Sequence, residues 1–336
     1  MMQPSDFLLS QLVHEPIVQI HPLFGGRNSA LYRIQTDSQI FVLKIYPKLQ
    51  QEVVNRFQVE SQCLNFFKQA QVNCVPLLYG LVDSAEEQAI LIEYISGHKP
   101  CVNPAYFEAV FSFLSQLKKL GHQKEARQFS LAASPYLCLS HLYDEILQRL
   151  KRFYPLFRDE PQLAAFFEQH FFPQWEKLVY HLEVLSPLEK HFFHTPLSVE
   201  KRVLIPGDFG IHNTLFVPEK NQFYFFDFEY FGWDDPIRLV GDFLYHPAMS
   251  LNSTERQPFL HWAKTCYAAE DPDFEQRLIL ALPFFVIRWT LIVLNEFLPE
   301  RRKNRGGLSH EDNWEQLKQT QLHKAEGLIE ELFNLI

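Results

Sequence analysis

The chain has 336 residues, 47% of them hydrophobic and 21% charged, and a net charge of −9 from 31 basic and 40 acidic side chains. At about 100–200 residues per domain, that length allows two domains or one domain of two lobes. The composition excludes global disorder, which needs low hydrophobicity and high net charge. The acidic sum disfavours a mainly electrostatic grip on nucleic acid, which needs stripes of Lys and Arg.

The cysteines Cys63, Cys74, Cys101, Cys138 and Cys266 are five in number, widely spaced and without a Cys-x-x-Cys pair. That pattern speaks against a disulfide framework or a thiolate zinc site and fits a reducing, cytoplasmic setting. The opening Met-Met-Gln-Pro-Ser-Asp has no basic region followed by an apolar run, so no secretory leader is read there. With 32 Phe and only 12 Gly, an aromatic core is expected and long Gly-rich linkers are not.

In chain order, the first part reads as strands around one helix. Ile17 to Pro22, Leu31 to Ile34 and Phe41 to Tyr46 are β-like runs. The cluster Gly25-Gly26-Arg27-Asn28-Ser29 is a turn between the first two. From Glu52 to Ala70 apolar residues recur at helical spacing. Val75 to Tyr79 and Ala89 to Ile95 read as strands, closed by Ser96-Gly97. After residue 104 helical patterns dominate: Tyr106 to Gly121, His141 to Phe153, Gln162 to Leu185, Thr254 to Ala269, Phe274 to Leu298 and Asn313 to Leu335. Leu278 to Leu298 is strongly apolar but holds Pro283, Arg288, Asn295 and Glu296, so a buried helix is expected rather than a membrane span. The β interruption is Val203 to Phe228, where Thr214 to Val217 and Phe223 to Phe226 flank a polar turn and form a hairpin.

The hairpin carries the chemistry. Asp208 lies in the loop before it, Asn213 five residues on at the first strand's start, and Asp227 at the end of the return strand. A tight hairpin sets the start of its first strand beside the end of its second, so Asn213 and Asp227 are expected as neighbours. Two carboxylates and an amide oxygen at one edge form a hard-oxygen set that suits Mg²⁺.

The order Asp208-x4-Asn213, a short hairpin, Asp227, then Asp235-Pro236 and Asp242 resembles the aminoglycoside phosphotransferase and choline kinase family, small-molecule relatives of the protein kinases. The resemblance covers about residues 20 to 245. It implies an α+β, two-lobed, protein-kinase-like fold. A small β-rich nucleotide-binding lobe would span residues 1–96, and a mainly helical lobe with the catalytic loop, metal loop and acceptor site residues 97–336. It makes Asp208 the catalytic base and Asn213 and Asp227 the Mg²⁺ ligands. Lys44 would hold the α/β-phosphates of ATP, with Glu60 as its ion-pair partner. Gly25, Gly26, Asn28 and Ser29 match the turn over the nucleotide, and Glu93, Tyr94 and Ile95 the hinge beside adenine. The acceptor would be a hydroxyl of a small molecule such as an amino sugar, amino alcohol or sugar, and the protein a monomer or homodimer.

Phosphoryl transfer needs these residue types. The γ-phosphoryl is anionic and must meet an electron-rich hydroxyl, so metal and Lys neutralise and position it while an Asp orients the hydroxyl and takes its proton. Three departures from the family pattern stand out. Pro206 occupies the place where many members carry His two residues before the catalytic Asp. The metal loop reads Asp-Phe-Glu rather than Asp-Phe-Gly, which favours small-molecule kinases over protein kinases. No G-x-G-x-x-G is present.

Simpler readings compete residue by residue. Asp208 alone would be a turn cap, Lys44 an edge-strand charge and Glu60 a solvated helix charge. His212 reads as structural or as part of the cleft lining. His191 and His194 read as a solvated local pair. Arg288 and Asn295 share a helix face, and an internal ion pair is the simplest account of Arg288. The competing function is a nucleotide-binding pseudokinase or scaffold. Pro206 is its one support, and the chain keeps the lysine and both metal-loop residues.

Overall fold

The computed structural model describes residues 4–23, 29–48, 55–304 and 311–332. By packing, the chain forms two compact units: residues 1–134 with 203–233, and residues 135–202 with 234–336. This grouping places residues 97–134 and the hairpin with the sheet, whereas the lobe boundary expected from the sequence falls at residue 96.

In the first unit, helix α1 (Asp6–Leu12) precedes β1 (Ile17–Leu23), β2 (Ala30–Thr36) and β3 (Ile40–Tyr46). Helix α2 (Arg56–Gln69) leads to β4 (Leu78–Asp83) and β5 (Gln88–Glu93). The strands form one antiparallel sheet in the order β1-β2-β3-β5-β4. Side chains alternate across a strand. On β3, Phe41 and Leu43 therefore join Tyr32, Ile34, Leu91 and α1's Leu8 in one core, while Lys44 and Tyr46 face the other way. The β4 run starts three residues later than the expected Val75, because Pro76 has no N–H to give a ladder; Val75 instead packs in the core.

Helix α3 (Pro104–Gly121) starts at the N-cap Asn103, whose side chain accepts from the Tyr106 N–H. After β6 (Val203–Ile205) come β7 (Thr214–Val217) and β8 (Gln222–Phe225), the expected hairpin, closed by Asn221 in the left-handed conformation. Strand β9 (Gly232–Asp234) pairs with β6. The abundant Phe residues meet under this hairpin. Phe113 of α3 stacks on Phe225 (4.9 Å between ring centres) and on Phe209 (5.6 Å), and Phe67 of α2 meets Phe228 edge-on at 5.1 Å. Truncating a buried Phe to Ala typically costs about 3–5 kcal/mol. Phe113→Ala is expected to lose that much in denaturant unfolding. A loss no larger than that of a surface substitution would show that the rings are not closely packed.

The second unit is helical: α4 (Leu139–Lys151), α5 (Pro161–Phe166), α6 (Phe172–Glu183), α7 (Pro187–His194), α8 (Pro236–Tyr245), α9 (Ser253–Tyr267), α10 (Phe274–Val293), α11 (Pro299–Asn304) and α12 (Glu311–Leu332). The expected single helix Gln162 to Leu185 is two helices joined by a π-helical turn, Phe167–Phe171. Pro173 follows at the start of α6 and has no N–H to donate back along the helix, and the Phe172 N–H reaches five residues back to the Phe167 oxygen. Helices α1, α7, α8 and α11 were not anticipated from the sequence.

Helix α10 is the core of this unit, packed against α4, α8 and α12. Gly241 of α8 has no side chain because a Cβ there would lie 2.3 Å from the Phe285 ring of α10. With the helical turn that continues it to Phe297, α10 is the one helix among the described residues long and apolar enough to cross a membrane, and 89% of its most apolar 18-residue window is buried inside the protein. Its Arg288 is neutralised internally: Nε lies 3.2 Å from Glu145 Oε1 of α4, and Nη1 2.7 Å from Asp242 Oδ1 of α8. Burial alone would raise the Glu145 pKa, but Arg288 and Arg149 pull it down to about 2. Asp242 also accepts from Trp289 Nε1 at 3.0 Å. Asn295 is buried too, and its Oδ1 has no hydrogen-bond partner among the described residues. His191 hydrogen-bonds Thr195 locally (3.1 Å).

Candidate active site

Lys44 is the centre of the site. It sits mid-strand on β3, paired in register with Leu31 of β2 and Ile90 of β5. Only 5% of it is exposed. Its ammonium lies 2.6 Å from Glu60 Oε2, 2.5 Å from Asp227 Oδ1 and 3.6 Å from Glu229 Oε2. A buried ammonium needs such partners. Burial works to lower its pKa, but Glu60, Asp227 and Glu229 outweigh that and hold it above the usual lysine range.

Glu60 lies on the apolar face of α2, in line with Phe57, Leu64 and Phe67. The helix starts from the N-cap Asn55, whose side chain accepts from the Gln58 N–H at 3.1 Å. A charge on an apolar face is tolerated only with partners, and Glu60 has two. Lys44 and the Tyr46 hydroxyl, which donates at 2.5 Å, share its Oε2. Burial raises the Glu60 pKa and Lys44 opposes the rise. Burial, then Glu60, hold the Tyr46 phenol well above its ordinary value. Strand alternation puts residues 44 and 46 on one face, so Tyr46 was legible as a neighbour, yet sequence reasoning passed over it.

The hairpin delivers the other groups. Thr214 pairs with Phe225, and the Phe226 N–H bonds the Asn213 oxygen at 3.2 Å. Asn213 and Asp227 thus come to one edge, as the hairpin geometry predicts. Asp227 is held at φ +71°, a left-handed conformation that Asp tolerates better than most residues. The same loop brings Glu229, buried at 2% exposure, and its Oε1 lies 3.7 Å from Arg56 Nη1 at the start of α2. Glu229 was read as the departure from Asp-Phe-Gly and not as a partner of Lys44. Its i+2 spacing from Asp227 was the signal that both acids could face one lysine. Glu60, Asp227 and Glu229 offer carboxylate oxygens within 4.8 Å of one another.

Asp208 follows Pro206 and Gly207. Gly207 has φ +89°, and a Cβ there would lie 2.5 Å from the Cβ of Tyr230, so no other residue fits this turn. Burial, then the neighbouring Glu229, push the Tyr230 phenol up to about 12. The Asp208 side chain is 41% exposed and takes His212 Nε2 on its Oδ1 at 2.9 Å. Asn213 Nδ2 donates to the Asp208 backbone oxygen at 2.9 Å, which leaves Asn213 Oδ1 as its oxygen donor.

The residues that follow β5 also meet the hairpin. His98 and Phe216 exchange two backbone hydrogen bonds of 3.0 and 2.8 Å. A Cβ on Gly97 would lie 2.7 Å from the Phe216 oxygen. Ile95 packs with Val217 and Tyr224 of the hairpin. Glu93 ends β5 and Tyr94 is half-buried beneath the Arg33 guanidinium at 5.4 Å. Ser29 is half-buried at the start of β2. Gly25, Gly26 and Asn28 lie outside the described residues.

Asp235, the first acid of the Asp-Pro step, caps α8 through the Ile237 N–H at 3.0 Å and accepts two bonds from Arg277. Asp234 accepts from the Tyr136 N–H at 2.9 Å and from Arg238 at 2.8 Å. Burial pushes its pKa up to about 6 against the pull of Arg238. These acids hold the second unit together.

No curated protein matches the sequence. Solved structures do match in fold. A spectinomycin phosphotransferase, in complex with ADP and spectinomycin, superposes with a TM-score of 0.59 at 13% identity, covering 96% of each chain. A choline kinase from Cryptosporidium parvum gives 0.54 at 12% identity, over 95% of this chain and 90% of that one. An ethanolamine kinase from Plasmodium vivax gives 0.51 at 14% identity, over 91% and 82%. The fold is therefore the two-lobed, kinase-like α+β fold. Residues 19–276 match the family described as "Phosphotransferase enzyme family". With that match spanning the strand lysine, the Asp208-x4-Asn213 loop and the hairpin to Asp227, the chain belongs to this phosphotransferase family, the small-molecule kinases that its motifs resemble.

Proposed function

We propose that the protein is an ATP-dependent kinase that phosphorylates a hydroxyl of a small molecule, with Asp208 as the catalytic base. One observation carries the reading. Lys44 gathers a carboxylate from α2 and another from the loop after β8, beside Asn213 across the hairpin. A buried lysine aimed by acids is the arrangement that positions phosphates as a fixed point charge.

In this reading Lys44 holds the α- and β-phosphates, while Glu60 and Tyr46 keep its ammonium in place. Asn213 and Asp227 are hard-oxygen donors at one edge, a set that fits Mg²⁺, and the nearby Glu229 carboxylate strengthens the fit. When bound, the metal would neutralise phosphate oxygens. The remaining work falls to the chain itself. Asp208 orients the acceptor hydroxyl and takes its proton. Glu93, Tyr94 and Ile95, from the nucleotide lobe of residues 1–96, line the adenine edge. Most of the rate gain comes from position and electrostatics. The ADP bound to the spectinomycin phosphotransferase supports a nucleotide here. That enzyme and the choline and ethanolamine kinases of the same fold support an acceptor that is an amino sugar, an amino alcohol, a sugar or a similar compound.

Thermal unfolding with ATP and Mg²⁺ tests the nucleotide step. A ligand at about 100 times its Kd stabilises by about 2.7 kcal/mol. The wild type is expected to show a Mg²⁺-dependent rise in Tm with ATP, and Asp227→Ala to lose it. An equal rise in both proteins would remove Asp227 from the metal site.

A further inference from the structure

We propose that His212 is a positioning residue for Asp208, a role that rests on Asp208 being the base. His212 Nε2 lies 2.9 Å from Asp208 Oδ1. A carboxylate oxygen only accepts, so Nε2 carries the hydrogen and His212 donates. An aspartate base has two oxygens and must keep one of them on the acceptor hydroxyl. Its side chain here is 41% exposed, so hydrogen bonds rather than close packing set its orientation. A donor fixed on Oδ1 holds the carboxylate in one orientation.

The donor is itself fixed. His212 is the middle residue of a single helical turn, Ile211–Asn213. The Asn213 N–H bonds the Gly210 oxygen at 3.1 Å, and the Thr214 hydroxyl bonds the same oxygen at 2.9 Å. Ile211 anchors the turn in the core at 6% exposure. Asn213 Nδ2 closes the loop onto the Asp208 backbone. The turn that sets the imidazole against the base thus also sets Asn213 beside Asp227. Base and metal edge are held by one frame, and the His212 side chain is the part of it that touches the reacting carboxylate.

The test compares His212→Ala with His212→Gln, whose terminal amide nitrogen can donate to the same oxygen. The probes are Mg–ATP with water as acceptor, read as phosphate release, and Mg–ATP with ethanolamine, choline, spectinomycin or hygromycin B. A misplaced catalytic group can cost about 10²-fold in rate. His212→Ala is expected to lose about 10- to 100-fold in kcat, with the KM for ATP and the nucleotide Kd unchanged, and His212→Gln to recover most of the loss. Wild-type kcat in His212→Ala, equal losses in the two variants, or a loss confined to KM would each overturn the proposal. Asp208→Asn is run in parallel. If it still transfers phosphate, the base assignment falls. If it is inactive while His212→Ala turns over like the wild type, only the positioning role falls. A crystal structure of His212→Ala supplies a second reading that needs no acceptor. The proposal requires the Asp208 carboxylate to leave its wild-type orientation, and an unmoved carboxylate overturns it.

Discussion

Alanine in place of Asp208 is expected to lower kcat about 10²–10⁴-fold, the range that a positioned general base contributes, while Mg–ATP still binds. The structure makes this a clean separation. The bond that holds Asn213 runs to the backbone oxygen of Asp208, not to its side chain, so truncation leaves Asn213 in place. The side chain is well exposed and reaches His212, and losing it opens no cavity in the core. Turnover measured against ethanolamine, choline, spectinomycin and hygromycin B, with nucleotide binding followed alongside, decides the matter. Robust transfer by Asp208→Ala would exclude it as the base. Loss of both transfer and nucleotide binding would show a collapsed loop instead.

The second large effect is expected at Lys44. Lys44→Met removes a cation that Glu60, Asp227 and Glu229 share. Breaking a buried ion pair by deleting one partner costs about 3–5 kcal/mol, and losing a fixed charge from a phosphate site costs about 10²–10³-fold in rate. The loss of stability should depend on pH in a particular direction. In the wild type Lys44 titrates above the usual lysine range. Its contribution is therefore whole at neutral pH and is lost only as pH rises through that folded-state value. In Lys44→Met, Glu60 keeps the burial that raises its pKa and loses the charge that opposed the rise. The native state then holds a proton that the unfolded state has released, so stability falls as pH rises. Thermal unfolding between pH 5 and about pH 8, well above the unfolded glutamate pKa near 4.3, should show a steeper decline in the variant than in the wild type. Parallel profiles would mean that Glu60 is solvated and that the pair is not the centre of the site.

Much of this site was legible because it hangs on one hairpin. The apolar runs on either side of Pro218 to Asn221 mark the hairpin, and its register sets Asn213 opposite Phe226, the residue before Asp227. Lys44 and Glu60 were harder, since nothing in a single strand or helix says that they meet. The resemblance supplied the pair, and the structure joins them at 2.6 Å. Glu229 and Tyr46 escaped notice because each is ordinary by local pattern. Their meaning appears only when β3, α2 and the loop after β8 converge. His212 was set aside for the same reason: a loop histidine is unremarkable until its nitrogen lies against a particular carboxylate. The short helices α7 and α8 hold too few turns for a periodic signal, although Ser186 with Glu189 and Asp235 with Pro236 are start signals. The pattern from Gln162 gives no sign of the π-helical turn, because apolar spacing continues through Pro173 while the backbone hydrogen bonds change register before it.

The stacked rings beneath the hairpin bind the two loops of the site into one cooperative element. Phe209 belongs to the loop of Asp208, Phe225 and Phe228 to the strand and loop of Asp227, and both groups rest on Phe113. Local opening of either loop would expose rings that the other loop also covers, so neither has a low-energy excursion of its own. A substitution at any one of these rings is therefore felt in both loops, and the loops of Asp208 and Asp227 open together or not at all.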